Sequence, residues 1–77
     1  MNKARRKELA RIVSALETLK EDIEAVRDEE QDAFDNLPEG IQYSERGEQM
    51  EEFVSSLDNA GSSIDEVIDY LNEILEA

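Results

Sequence analysis

Carboxylates are the groups with the most chemistry to offer here, since 21 of the 77 residues are Asp or Glu. Adjacent pairs such as Glu29 with Glu30 could in principle relay protons or chelate a hard cation. Their surroundings argue against both. The chain has no histidine and no cysteine, so the usual general base, zinc ligand and thiolate nucleophile are all missing. A serine or tyrosine nucleophile would need a lysine or carboxylate as its base, and Lys20 is the only lysine outside the N-terminal tail. No glycine-rich phosphate loop and no HExxH helix is present. The densest acidic run, "DEEQDAFD" at 28 to 35, lacks the glycine and ligand spacing of an EF-hand loop. No catalytic residue, cofactor or metal site is therefore expected, and the carboxylates read as a solvated face.

That face is unusually strong. Eight basic residues against 21 acidic ones give a formal charge of -13. Lys3, Arg5, Arg6, Lys7 and Arg11, offset by Glu8, make the first eleven residues +4 and leave -17 for the rest. Such a field repels nucleic acid and anionic membranes and attracts basic protein surfaces. No stretch approaches the ~20 apolar residues of a membrane span. The basic start is not followed by the apolar run of a secretion signal. A cytoplasmic protein without a membrane or direct nucleic-acid contact is the expectation, the cytoplasm being that of a bacterial host if a phage encodes it.

The elements that position these carboxylates emerge when the chain is written in sevens. The second half becomes MEEFVSS, LDNAGSS, IDEVIDY, LNEILEA, with Met50/Phe53, Leu57/Ala60, Ile64/Val67 and Leu71/Ile74 in the a and d places of a helix seam. The first half gives Leu9/Ile12, Leu16/Leu19, Ile23/Val26 and Glu30/Ala33, in which only Glu30 breaks the apolar rule. A polar residue at an a position commonly fixes register or oligomeric state, and Arg27, one turn back, is a candidate partner for it.

Within "LDNAGSSIDE", Gly61 could end one helix, and Ser63 with Glu66 fits a capping box for another. The heptad register nevertheless passes through without gaining or losing a residue, and a mid-helix glycine costs only about 1 kcal/mol against alanine. A continuous helix is expected, with a three-helix bundle broken at Gly61 as the alternative. The connection lies instead in "NLPEGIQYSERGE", where Leu37-Pro38 favours extended backbone, Glu39-Gly40 suits a turn and Ser44 can cap the next helix.

Residues 1–77 thus form one all-α domain. It is an antiparallel hairpin of helices at about 3–36 and 45–76, joined by a loop at about 37–44. Folding about Ile41 and Gln42 sets Leu16 near Val67, Leu19 near Ile64, Ile23 near Ala60, Val26 near Leu57 and Glu30 opposite Phe53. It also brings the basic start of the first helix beside Asp65, Glu66, Asp69, Glu73 and Glu76. Attraction there should offset the unfavourable helix-dipole placement of both termini. A two-helix hairpin seals one narrow seam, and Val13, Phe34, Val54, Gly61, Ile68 and Leu75 at e, with Tyr70 at g, widen the apolar stripe beyond it. That stripe is expected to bind a second copy, giving a four-helix-bundle homodimer.

Outside the seam the first helix carries Glu17, Glu21, Glu24, Asp28, Asp32 and Asp35. The second carries Glu51, Glu52, Asp58, Asp65, Glu66, Asp69 and Glu73. Rows of carboxylates on a rigid rod can imitate the phosphate track that nucleic-acid enzymes grip with Lys and Arg. The function expected from the residues is therefore a non-enzymatic acidic module that binds a protein with a basic surface. The alternative is a structural or adaptor subunit whose charge only keeps it soluble.

"DEEQDAFDNLPEGIQYSERGEQMEE", residues 28 to 52, resembles a pattern in a family of small acidic proteins of phages and Gram-positive bacteria. There a run close to EEQEAFDNLPEGLQ, then SERGE, then ME, precedes acidic heptads like "IDEVIDYLNEI" here. Tyr43 stands where a smaller residue is usual. The resemblance brings no activity to carry over. It implies phage or mobile-element origin, and through that an inhibitor of a host defence or DNA-processing protein.

Overall fold

A computed structural model describes all 77 residues and contains helices only: α1 (Lys3–Asp35), α2 (Glu39–Gln42) and α3 (Glu45–Glu76). The two long helices lie side by side in a rod of 58 × 15 × 13 Å. Its length is close to the ~50 Å that about 33 residues span at 1.5 Å per residue.

Each helix starts and stops for local reasons. The Asn2 side chain accepts a hydrogen bond from the Arg5 backbone N–H at 2.9 Å, an N-cap on an otherwise open donor. At the far end of α1 the Asn36 N–H reaches Asp32 O and the Leu37 N–H reaches Phe34 O. Pro38 then supplies a carbonyl that accepts from both Ile41 and Gln42, which makes α2 a single turn within the expected loop. Gln42 turns back, its side-chain amide donating to Phe34 O at 3.1 Å and Asp35 O at 3.4 Å, which gives Phe34 O a second donor and satisfies the Asp35 carbonyl left open at the end of α1.

Ser44 occupies the N-cap position of α3 in extended backbone, and its carbonyl accepts from Glu48 N. Its hydroxyl does not cap the helix as expected; it donates to Ile41 O and ties α2 down instead. Glu45 and Glu48 in the first turn of α3 face the positive end of its dipole.

α3 runs unbroken through Gly61, so neither the break nor the third long helix of the alternative forms. Gly61 has a right-handed backbone and is buried against α1. The pairing is antiparallel. Arg6 Nη1 donates to Leu75 O at 2.8 Å, Lys20 Nζ to Asp65 at 2.7 Å and Arg27 Nη1 to Asp58 at 2.7 Å. The residue numbers in these pairs sum to 81 to 85, bracketing the register expected from a fold about Ile41 and Gln42. Leu19 and Ile64 accordingly border one groove, as do Glu30 and Phe53 the next.

The seam, however, is rotated from the expected a/d ridge to an a/e ridge. Val13, Gly61 and Ile68 at e are buried, and Phe34, Val54 and Leu75 are half-buried. At d, Leu19, Val26, Phe53, Val67 and Ile74 stand in solvent. The a row is flanked by apolar residues on both sides, and a two-helix contact can close over only one of them. Closing over e lets the Lys20 stem cross Gly61: a Cβ built there would lie 3.9 Å from Lys20 Cε. The core that results is thin, for only Val13 and Ile68, each 7% exposed, are buried apolar side chains.

Candidate functional site

With no enclosed chemistry to describe, the candidate sites are the two long faces of the rod and its outer edges. One face is ionic. Lys20 and Arg27, one heptad apart on α1, reach across to Asp65 and Asp58, one heptad apart on α3. Glu24 adds a second carboxylate to Lys20 at 3.4 Å, and Asp28 a second to Arg27 at 2.9 Å. The Asp65 carboxylate, accepting from the ammonium, holds Lys20 above the ordinary lysine range, and Asp58 does the same for the Arg27 guanidinium. Both cations are therefore fixed in the charged form, as straps between the helices.

Those straps divide the thirteen carboxylates expected to meet a partner. Glu24, Asp28, Asp58 and Asp65 are engaged by Lys20 or Arg27, so two cations offset half of the charge of these four carboxylates within the chain. Glu17, Glu21, Asp32, Asp35, Glu51, Glu52, Glu66, Asp69 and Glu73 are exposed and outside any ion pair. Asp35 accepts only from the neutral Gln31 amide. They occupy the outward edges of both helices, where a surface of opposite charge could reach them without displacing an internal partner.

The candidate pairing of Glu30 with Arg27 does not form, because Arg27 is taken by Asp58 and Asp28. Glu30 is half-buried at the edge of the apolar face, beside Val26, Phe53 and Leu57. The cross-helix attraction expected at the basic end is likewise narrower than foreseen. Arg6 satisfies the carbonyls of Leu75 and Ala77 at the end of α3, and no ion pair joins Lys3, Arg5 or Lys7 to Glu66, Asp69, Glu73 or Glu76. Arg11 pairs within its own helix with Glu8, whose carboxyl is held below its usual range by that hydrogen bond.

The second face is apolar and open. The residues expected to form a docking stripe, Val13, Phe34, Val54, Gly61, Ile68 and Leu75, are spent in the hairpin seam, and of that set only Tyr70, 67% exposed, is free. Their place outside is taken by the d row. Sequence inspection could have found this exchange, since Lys20 and Arg27 share the e position with acidic partners already waiting at Asp58 and Asp65.

No group of three or more acidic side chains is arranged to hold a metal ion, and no helix is long and apolar enough to cross a membrane. Among known proteins, no family model, no curated protein and no solved structure matches this chain.

Proposed function

We propose that this protein is a non-enzymatic, acidic protein-binding module that offers the free carboxylate edges of its rod to a basic surface on another protein. The observation that carries the reading is the division of the carboxylates: the two strapping cations pair with four of them on one face, and those along both outer edges have no cation. Over 58 Å the net charge of -13 amounts to roughly one charge per 4.5 Å. Duplex DNA carries about one per 1.7 Å and a single strand about one per 3.4 Å. The field is thus nearer that of a single strand, enough to compete for a Lys- and Arg-lined track at low salt. Imitation of nucleic acid by an inhibitor of a host defence or DNA-processing protein fits this charge distribution and the resemblance of residues 28 to 52 to a motif of small phage proteins.

The test is capture of a basic protein from bacterial host extract by the immobilised chain. Retention should fall steeply as salt rises, and duplex DNA should displace the partner. A variant with Glu17, Glu21, Asp69 and Glu73 changed to Gln should lose most of it. Retention that ignores salt, DNA and this variant would reject the reading. It would favour a structural or adaptor subunit, to which the open apolar face lends weight.

A further inference from the structure

In an antiparallel helix pair, equivalent heptad positions of the two helices emerge on the same side. Leu19 and Val26 of α1 therefore share a face with Phe53, Val67 and Ile74 of α3, opposite the face strapped by Lys20 and Arg27. These five side chains are between 38% and 53% exposed, more open than any buried member of the seam.

The accessible surface measures how much covering is missing. The chain exposes 5714 Å², whereas a compact monomer of 8.8 kDa exposes about 4,800 Å². The excess of roughly 900 Å² is close to the ~800 Å² that each partner contributes to a standard interface. A second copy laid along this face would supply covering of that size.

The rims of the face say how that copy lies. Asp22 and Glu29 border it on α1, and Ser56, with Ser63 one heptad on, borders it on α3. Stacking α1 on α1 would set the acidic rims of two copies against each other. Stacking α1 on α3 sets Asp22 level with Ser63 and Glu29 level with Ser56, small hydroxylated neighbours that leave room and carry no charge. We infer that a second copy of this chain covers the Leu19, Val26, Phe53, Val67 and Ile74 face, each copy's α1 lying on the other's α3, to form a four-helix bundle. This assembly does not depend on what the acidic edges bind, because those edges stay outside it.

Light scattering on the full chain at micromolar concentration should give twice the 8.8 kDa chain mass, more fully at high salt, where repulsion between two copies at -13 each is screened. Val26→Glu with Phe53→Glu should return one-chain mass with the helical circular dichroism retained. Ser56→Asp with Ser63→Asp should weaken self-association at least tenfold. Because the chain has no cysteine, Asp22→Cys with Ser63→Cys offers a check that does not depend on the charged variants folding. These positions lie on opposite rims of one copy, so mild oxidation should join two copies. A wild-type chain that stays single at both salts, including one that instead takes up a foreign amphipathic helix, overturns the inference. So does a dimer that survives Val26→Glu with Phe53→Glu, or a cysteine pair that never cross-links.

Discussion

Gly47 in the first turn of α3 lies against the backbone of Gln42 so closely that a Cβ on it would come within 2.6 Å of the Gln42 carbonyl carbon and 2.8 Å of its Cα. No side chain fits there. Gln42 is held on its other side by its amide bonds to the end of α1, so it cannot retreat without undoing that cap. The spacing from "PEGIQ" to "SERGE" therefore has a physical reason: a glutamine that closes one long helix is seated on a glycine that opens the next.

Gly47→Ala should consequently destabilise the hairpin by about 1–3 kcal/mol, the cost of a forced shift in a packed backbone contact. Helix propensity alone predicts the opposite sign, a gain of about 1 kcal/mol. Gly40→Ala is the control, since a Cβ at Gly40 meets nothing within 4 Å. Urea unfolding followed by circular dichroism separates the two, and equal midpoints for Gly47→Ala and wild type would remove the seating role.

Gly61 behaves differently. It is buried in the seam, but its Cβ would meet only the flexible Lys20 stem, at an ordinary contact distance of 3.9 Å. Its backbone is right-handed, so no glycine-only conformation is needed. Gly61→Ala should raise stability by about 0.5–1 kcal/mol, read as an upward shift of the same midpoint. A loss would mean that the Lys20 strap depends on the missing Cβ.

The contrast between these glycines marks what could be read from residues alone. The helix boundaries followed from the proline, glycine and serine signals of the loop at 37–44, and continuity through Gly61 and the antiparallel register from a heptad phase that never slips, because phase is set by many side chains at once. The role of Gly47 depends on where one carbonyl lies in three dimensions and leaves no periodic trace. The choice between e and d as the second row of the seam was hidden for another reason: apolar residues occupy both, so hydrophobicity is degenerate and the decision falls to Lys20, Arg27 and their aspartates. The free and strapped carboxylates divide on the same hidden choice.

The Lys20 strap has a pH signature. Because Asp65 raises the folded-state value of the Lys20 ammonium, its contribution is fully present below the unfolded lysine value of about 10.4. It is lost as pH rises through the higher folded value. The stability difference between wild type and Lys20→Met should stay level from neutral pH to about 10 and shrink beyond it. A difference that disappears already near neutrality would mean that Asp65 does not hold the lysine in solution.

The net charge of -13 pulls in another direction. Like charges outnumber the strapped pairs, so screening should relieve more repulsion than it removes attraction. Thermal unfolding should shift upward by several degrees when salt is raised from low to physiological ionic strength. A downward shift with salt would show that the Lys20 and Arg27 pairs outweigh the repulsion.

The rotation of the seam makes adjacent residues respond in opposite ways. Ile68 is 7% exposed, with Val13 the other buried apolar side chain, while Val67 beside it is 46% exposed. Ile68→Glu would place an unpaired carboxylate inside the only well-closed part of the hairpin, at a cost of several kcal/mol that so thin a core cannot absorb. The helical signal should collapse at neutral pH and recover in part on acidification. Val67→Glu should leave the helical signal of the single chain intact and act only on association between copies. An a/d seam predicts the reverse, so one pair of spectra from neighbouring variants decides which edge of the a row faces inward.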